Sequence, residues 1–122
     1  MLKDWYFKRF AGPIAGTGAA QILLTVTHNE QAIITHIHVI NNDTVARSFK
    51  MSINADAAGT RIYPPTFFVD ANDFHDWQAD SPYGGHIIYS GETLEWNANS
   101  NLVVTVGGVV ALRENDAVVP TS

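Results

Sequence analysis

A chain of 122 residues and 13.3 kDa is long enough to bury one modest core and too short for two. Its formal charge of -5 sets most of the surface against a phosphate backbone, so nucleic acid is excluded as a sequence-independent partner. No apolar run approaches membrane-spanning length, no signal-peptide core follows Lys3, and the absence of cysteine removes disulfides and thiolate metal sites, so a soluble domain with no membrane partner is expected.

Residues 1–10, MLKDWYFKRF, carry Trp5, Tyr6, Phe7 and Phe10 together with three of the seven basic residues. The glycine-rich stretch that follows, with Gly12, Gly16 and Gly18, reads as loop. The pair predicts an extended N-terminal arm and linker over residues 1–20. An arm this aromatic must add a strand to its own domain or dock on a neighbouring subunit. A β-sandwich domain is expected over residues 21–113 and a polar tail over 114–122.

Residues 21–27, QILLTVT, predict a strand, with His28, Asn29 and Glu30 as its turn. From 33 to 53 apolar residues alternate with polar ones, first Ile33, Thr35, Ile37 and Val39, then Val45, Arg47, Phe49, Met51 and Ile53, on either side of Asn41, Asn42 and Asp43. Period two on both sides of an Asn/Asp turn predicts two strands joined as an antiparallel hairpin, with the odd-numbered residues of both on the apolar face. Such a register sets Val39 opposite Arg47, and in one form His36 opposite Lys50. A sheet with one apolar face needs a cover, and no long amphipathic helix is available to supply it.

A short strand over 61–63 stops at Pro64 and Pro65. Residues 66–85, TFFVDANDFHDWQADSPYGG, show no clean period and predict a long functional loop holding Phe74, Trp77 and Tyr83 among Asp70, Asp73, Asp76 and Asp80, with 67–69 as a possible extra strand. Strands follow over 86–89 and 93–96. Residues 102–112 fit either two short strands about Gly107 and Gly108 or one long strand with a bulge. The sum is an all-β fold: a single antiparallel β-sandwich of about eight strands, of jelly-roll or Greek-key type.

His36 and His38, at i and i+2 on a strand, point to one side and could share a metal ion. With His86, which follows Pro82, Gly84 and Gly85, they resemble the cupin metal site. Asn42 stands where that pattern wants a glutamate, and the second motif is one residue short. Solvent-facing or interface histidines are the preferred reading, so no metal and no cofactor are assigned. The four aspartates of 66–85 lack EF-hand spacing and read as a solubilising loop. Asn42, Asp43 and Thr44 fit a glycosylation sequon without consequence in a chain that is not exported. No nucleophile triad or phosphate loop is present, so no catalytic residue is assigned and no enzyme is expected. An exposed Trp77 beside Asp and Asn would also suit a carbohydrate-binding module.

The strand ending at Val39 to Asn42, the turn from Gly91 to Leu94 and the closing strand from Leu102 to Gly108 give the chain a layout that resembles the small β-sandwich virion proteins of tailed bacteriophages. The resemblance spans residues 21–112 apart from the long loop at 66–85. It implies a non-enzymatic virion component made in the host cytoplasm, most simply a capsid decoration protein, or alternatively a tail or head-tail accessory protein. The implied partners are the major capsid protein or other virion proteins, and sister subunits in a homo-oligomer, with a trimer favoured. Large aromatics dominate interface energetics, so Trp5, Tyr6, Phe7 and Phe10 at one end and Phe74, Trp77 and Tyr83 in the loop are the expected contact residues.

Overall fold

The computed structural model describes residues 2–54, 60–64 and 67–113. The expected tail at 114–122 and most of the turn at 55–60 lie outside these residues. Among the described residues nine strands run in chain order: β1 (Leu2–Ala15), β2 (Ala20–Thr25), β3 (Glu30–Asn41), β4 (Arg47–Ile53), β5 (Phe68–Val69), β6 (Phe74–Gln78), β7 (His86–Ile88), β8 (Thr93–Ala98) and β9 (Leu102–Arg113). They form two antiparallel sheets. The larger has the order β1-β9-β3-β6, with β7 also on β3, and the smaller has the order β2-β8-β4-β5.

The two sheets press together through alternate residues. Ile34, Ile37 and Val39 of β3 and Leu102, Val104 and Val106 of β9 meet Phe49 and Met51 of β4 and Leu94 and Trp96 of β8, all of them buried. Phe49 is the hub of an aromatic cluster with Tyr63, Phe67 and Trp96, its ring centroid 5.1 Å from that of Tyr63 and 5.6 Å from that of Phe67. The indole Nε1 of Trp96 donates to Gln21 Oε1 at 3.0 Å, so the largest core side chain has its one polar group satisfied.

The expected hairpin between residues 33–40 and 45–53 does not form. β3 pairs with β9, β6 and β7, whereas β4 pairs with β8 and β5, so the Asn/Asp segment carries the chain across from one sheet to the other. The odd-numbered residues Ile37, Val39, Phe49 and Met51 do share the core, but they meet across the sandwich rather than along one face. Val39 lies opposite His75 and Val104, not Arg47, and Lys50 lies opposite Asn97 in the other sheet, away from His36.

Asn41 explains the crossing. It is 1% exposed, and its Nδ2 donates to the carbonyls of Val45, Val69 and Asp70 at 2.9, 3.0 and 3.2 Å while its Oδ1 accepts from the Asp43 N–H at 2.9 Å. A side chain that satisfies the backbone of the crossing itself leaves no reason for the two strands to fold back on each other. Asp43 adds a clasp. Its Oδ2 accepts from Arg47 Nε at 2.7 Å and from Asn101 Nδ2 at 3.1 Å, and the Arg47 bond holds its carboxyl below the usual carboxylate range.

A second difference lies within β3. Its register against β9 shifts between Ile34 and His36, so Thr35 is bulged and the inward set changes from Ala32 and Ile34 to Ile37 and Val39. Gly108 accommodates the bulge, since a Cβ there would run into Ile33 O. β9 is therefore one long strand with a disturbed register rather than two strands about a Gly-Gly turn.

Residues 2–15, expected as an arm, form the outer strand of the larger sheet, paired along β9. This is the alternative in which the aromatic segment completes its own domain. The expected long loop at 66–85 likewise contains β5 and β6, and a short 3-10 turn at Pro82–Gly84. Among the described residues no helix is long and apolar enough to cross a membrane.

Candidate functional site

The two outer faces of the sandwich differ in character. On the smaller sheet, register places Lys50 beside Asn97 and Ser48 beside Phe68, a face on which exposed Lys50 and Asn97 are interspersed with the exposed apolar side chains of Ile22 and Phe68. On the larger sheet the bulge at Thr35 divides the outer face into two halves.

Toward the C-terminal end of β9, one cross-strand row runs Phe7, Val109, Ile33 and Ile87, and the neighbouring row holds Trp5, Ala111 and Gln31. Phe7 is 75% and Trp5 59% exposed, with ring centroids 6.2 Å apart, while Val109 and Ala111 between the strands are buried. Tyr89, just past β7, and Ile87 are also exposed. Large apolar groups exposed side by side on one face mark a contact surface more strongly than the same groups scattered.

Beyond the bulge the rows change chemistry. Gln78, His36, Gly107 and Arg9 form one row, Asp76, His38 and Thr105 the next, and Phe74, Ile40 and Val103 the third. Gly107 opens a shallow groove between Phe7, Arg9, Thr35, His36 and Thr105. Asp76 lies directly opposite His38. Its Oδ1 receives His36 Nε2 at 2.8 Å and His38 Nδ1 at 3.0 Å, and Gln78 Nε2 donates to its Oδ2 at 3.3 Å. The His36 bond first, then the His38 bond, hold the Asp76 carboxyl below its ordinary range. The Phe74 ring flanks His38 at 5.3 Å.

The structure separates the three histidines that the sequence suggested as a group. His86 lies opposite Ile34, on the core side of the sheet, with its ring 5.0 Å from that of Trp77, and burial pushes its pKa down. His36 and His38 face outward, so no single ion can reach all three. In place of His86 stands Asp76, which sequence reasoning left among the loop aspartates. The signal was the alternation within FHDWQ, where His75 and Trp77 are half-buried and Phe74, Asp76 and Gln78 exposed.

Of the seven expected contact residues, Trp5, Tyr6, Phe7, Phe74 and Tyr83 are exposed, Tyr83 almost completely at 97%. Phe10 and Trp77 instead pack partly buried against the core, so Trp77 is no open platform for a sugar ring. Beneath β6, His75 meets Tyr63 through a 2.9 Å bond between Nε2 and the phenol oxygen. Burial, aided by the Asp76 charge, pushes the Tyr63 pKa up to about 12.

No protein-family model matches the chain, and no curated protein resembles it closely enough to count as a relative.

Proposed function

We propose that this protein is a non-enzymatic structural component of a tailed-phage virion, a capsid decoration protein that binds neighbouring proteins through the outer face of its larger sheet. The observation that carries the binding role is the pair Trp5 and Phe7, on neighbouring cross-strand rows beside Ile33 and Ile87, which brings large apolar groups together on one sheet face. Interfaces concentrate their energy in such aromatic anchors. The virion assignment rests on the resemblance of the strand and turn pattern, and the strand order supports a jelly roll, an architecture common among capsid proteins. β1 to β4 alternate between the sheets, and each pairs with a strand from later in the chain, β1 with β9, β2 with β8, β3 with β6, β7 and β9, and β4 with β5 and β8.

Two exposed aromatic regions suggest a division of labour. Trp5 and Phe7 on the outermost strand hold sister subunits, with a trimer the favoured assembly, while exposed Phe74 on β6 and Tyr83 in the turn after it grip the major capsid protein or another virion protein. The test is co-sedimentation with the encoding phage's particles, comparing the parent with a Trp5→Ala, Phe7→Ala double variant and a Phe74→Ala, Tyr83→Ala double variant. Saturable binding by the parent, weakened in both variants while each stays folded, is expected. Binding unchanged in both would remove the aromatic face from the interface, and no binding by the parent would remove the virion reading.

A further inference from the structure

We propose that His36, His38 and Asp76 form a binding site for one divalent transition-metal ion, zinc or a first-row relative, on the outer face of the larger sheet. The inference does not depend on the virion reading. Each of the three residues offers one donor atom within 4.8 Å of the other two, and His36 Nε2 and His38 Nδ1 both meet Asp76 Oδ1. Around an ion with bonds near 2.0–2.1 Å, tetrahedral ligand atoms sit about 3.4 Å apart, so the 2.8 and 3.0 Å separations to Asp76 Oδ1 need to open by only a few tenths of an ångström.

The scaffold that holds the donors is stiff. His36 and His38 are on β3, which is paired with β9 on one side and β6 on the other, and Asp76 is on β6 in direct register with His38. Gln78 holds the second carboxylate oxygen, a supporting role of the kind that metal sites use to fix ligand orientation. Side-chain exposures of 38%, 29% and 32% leave the site open to an ion from solution.

Donor chemistry selects the ion. Two imidazole nitrogens and one carboxylate suit zinc, copper, nickel or cobalt rather than calcium or magnesium, which prefer oxygen alone. Three protein donors leave at least one coordination position for water or for a side chain of a docked protein. The nearest cation in the row, Arg9, is two strands from His36, roughly 10 Å at ordinary strand spacing, and solvent and salt weaken its repulsion.

The test uses the untagged full chain, stripped of metal and titrated with zinc chloride by calorimetry, with cobalt(II) absorption as a second readout. One ion per chain is expected, with visible cobalt bands of a low-coordinate centre. Affinity should fall at least about tenfold in His36→Ala, in His38→Ala and in Asp76→Asn, and stay unchanged in His86→Ala and His28→Ala. Zinc should also raise the melting temperature of the parent and not of Asp76→Asn, whose own melting curve reports whether that variant is folded. Absence of saturable binding, binding insensitive to all three ligand changes, or loss in His86→Ala would each overturn the proposal.

Discussion

Replacing Asn41 by alanine should remove the tie that sends the chain from one sheet to the other. The side chain is buried and makes four hydrogen bonds to backbone groups of residues 43, 45, 69 and 70. Of these the Val69 carbonyl is the most enclosed, and Asp43 N–H is partly buried, so truncation strands two groups that water reaches poorly. At roughly 1–3 kcal/mol for each stranded buried group, and with partial relaxation, the loss comes to about 2–4 kcal/mol. For a domain of this size that lowers the melting temperature by roughly 10 °C. Asn41→Asp is nearly isosteric but, when ionised, presents no donor to three carbonyl oxygens, so it should be at least as damaging at neutral pH and recover on acidification. Urea unfolding followed by tryptophan fluorescence measures all three proteins, with Asn42→Ala, an exposed neighbour, expected to change stability by less than about 0.5 kcal/mol. A loss below about 1 kcal/mol in Asn41→Ala, or an Asn41→Asp variant as stable as the parent at pH 7, would refute this account of the crossing.

Other substitutions test other parts of the fold. Gly108→Ala should be strongly destabilising, because a Cβ meets the backbone oxygen of Ile33 at the β3 bulge, whereas Gly107→Ala, with its nearest neighbour 3.4 Å away, should be mild; thermal melts compare them. The Tyr63 pKa, raised above its unfolded value of about 10, makes folding favour the neutral phenol, so stability should be intact below pH 10 and decline as pH rises through about 12, by on the order of 2–3 kcal/mol; Tyr63→Phe should flatten that decline in alkaline denaturation curves. The His86 pKa is depressed by burial, so the unfolded chain binds a proton that the folded one resists, and stability should fall as pH drops below the ordinary histidine value; His86→Gln should reduce that slope. If the proposed homo-oligomer forms through Trp5 and Phe7, Trp5→Ala with Phe7→Ala should leave the monomer folded and shift the parent's distribution toward smaller species in sedimentation velocity.

The all-β class, most strands and the alternation that buries Phe49 and Met51 were legible because a two-residue period is a local property of the chain. Pairing partners were not, since the same apolar faces satisfy a hairpin or a sandwich equally well. The contacts that distinguish them come from residues distant in the chain, the ladders from β3 to β9 and from β4 to β8 and the bonds from Asn41 to residues 69 and 70. The bulge at Thr35 was hidden for a related reason: Ile33 and Ile34 are equally apolar, and what turns Ile34 inward is the close approach at Gly108 from a strand far along the chain. Aromatic content singled out Trp5 and Phe7, which are exposed, but could not distinguish them from Phe10 and Trp77, which lean on the core. Asp76 escaped notice because five residues of β6, lying between an aspartate turn and a proline, gave too short a pattern to separate from loop.

The most direct test of the proposed virion role is electron cryo-microscopy of particles from the source of this chain. Density for the sandwich on the capsid exterior, with Trp5 and Phe7 of the larger sheet covered by a neighbouring subunit, is the predicted result. A particle that lacks the protein, or one in which it sits with that sheet face turned freely to solvent, would contradict the proposed role.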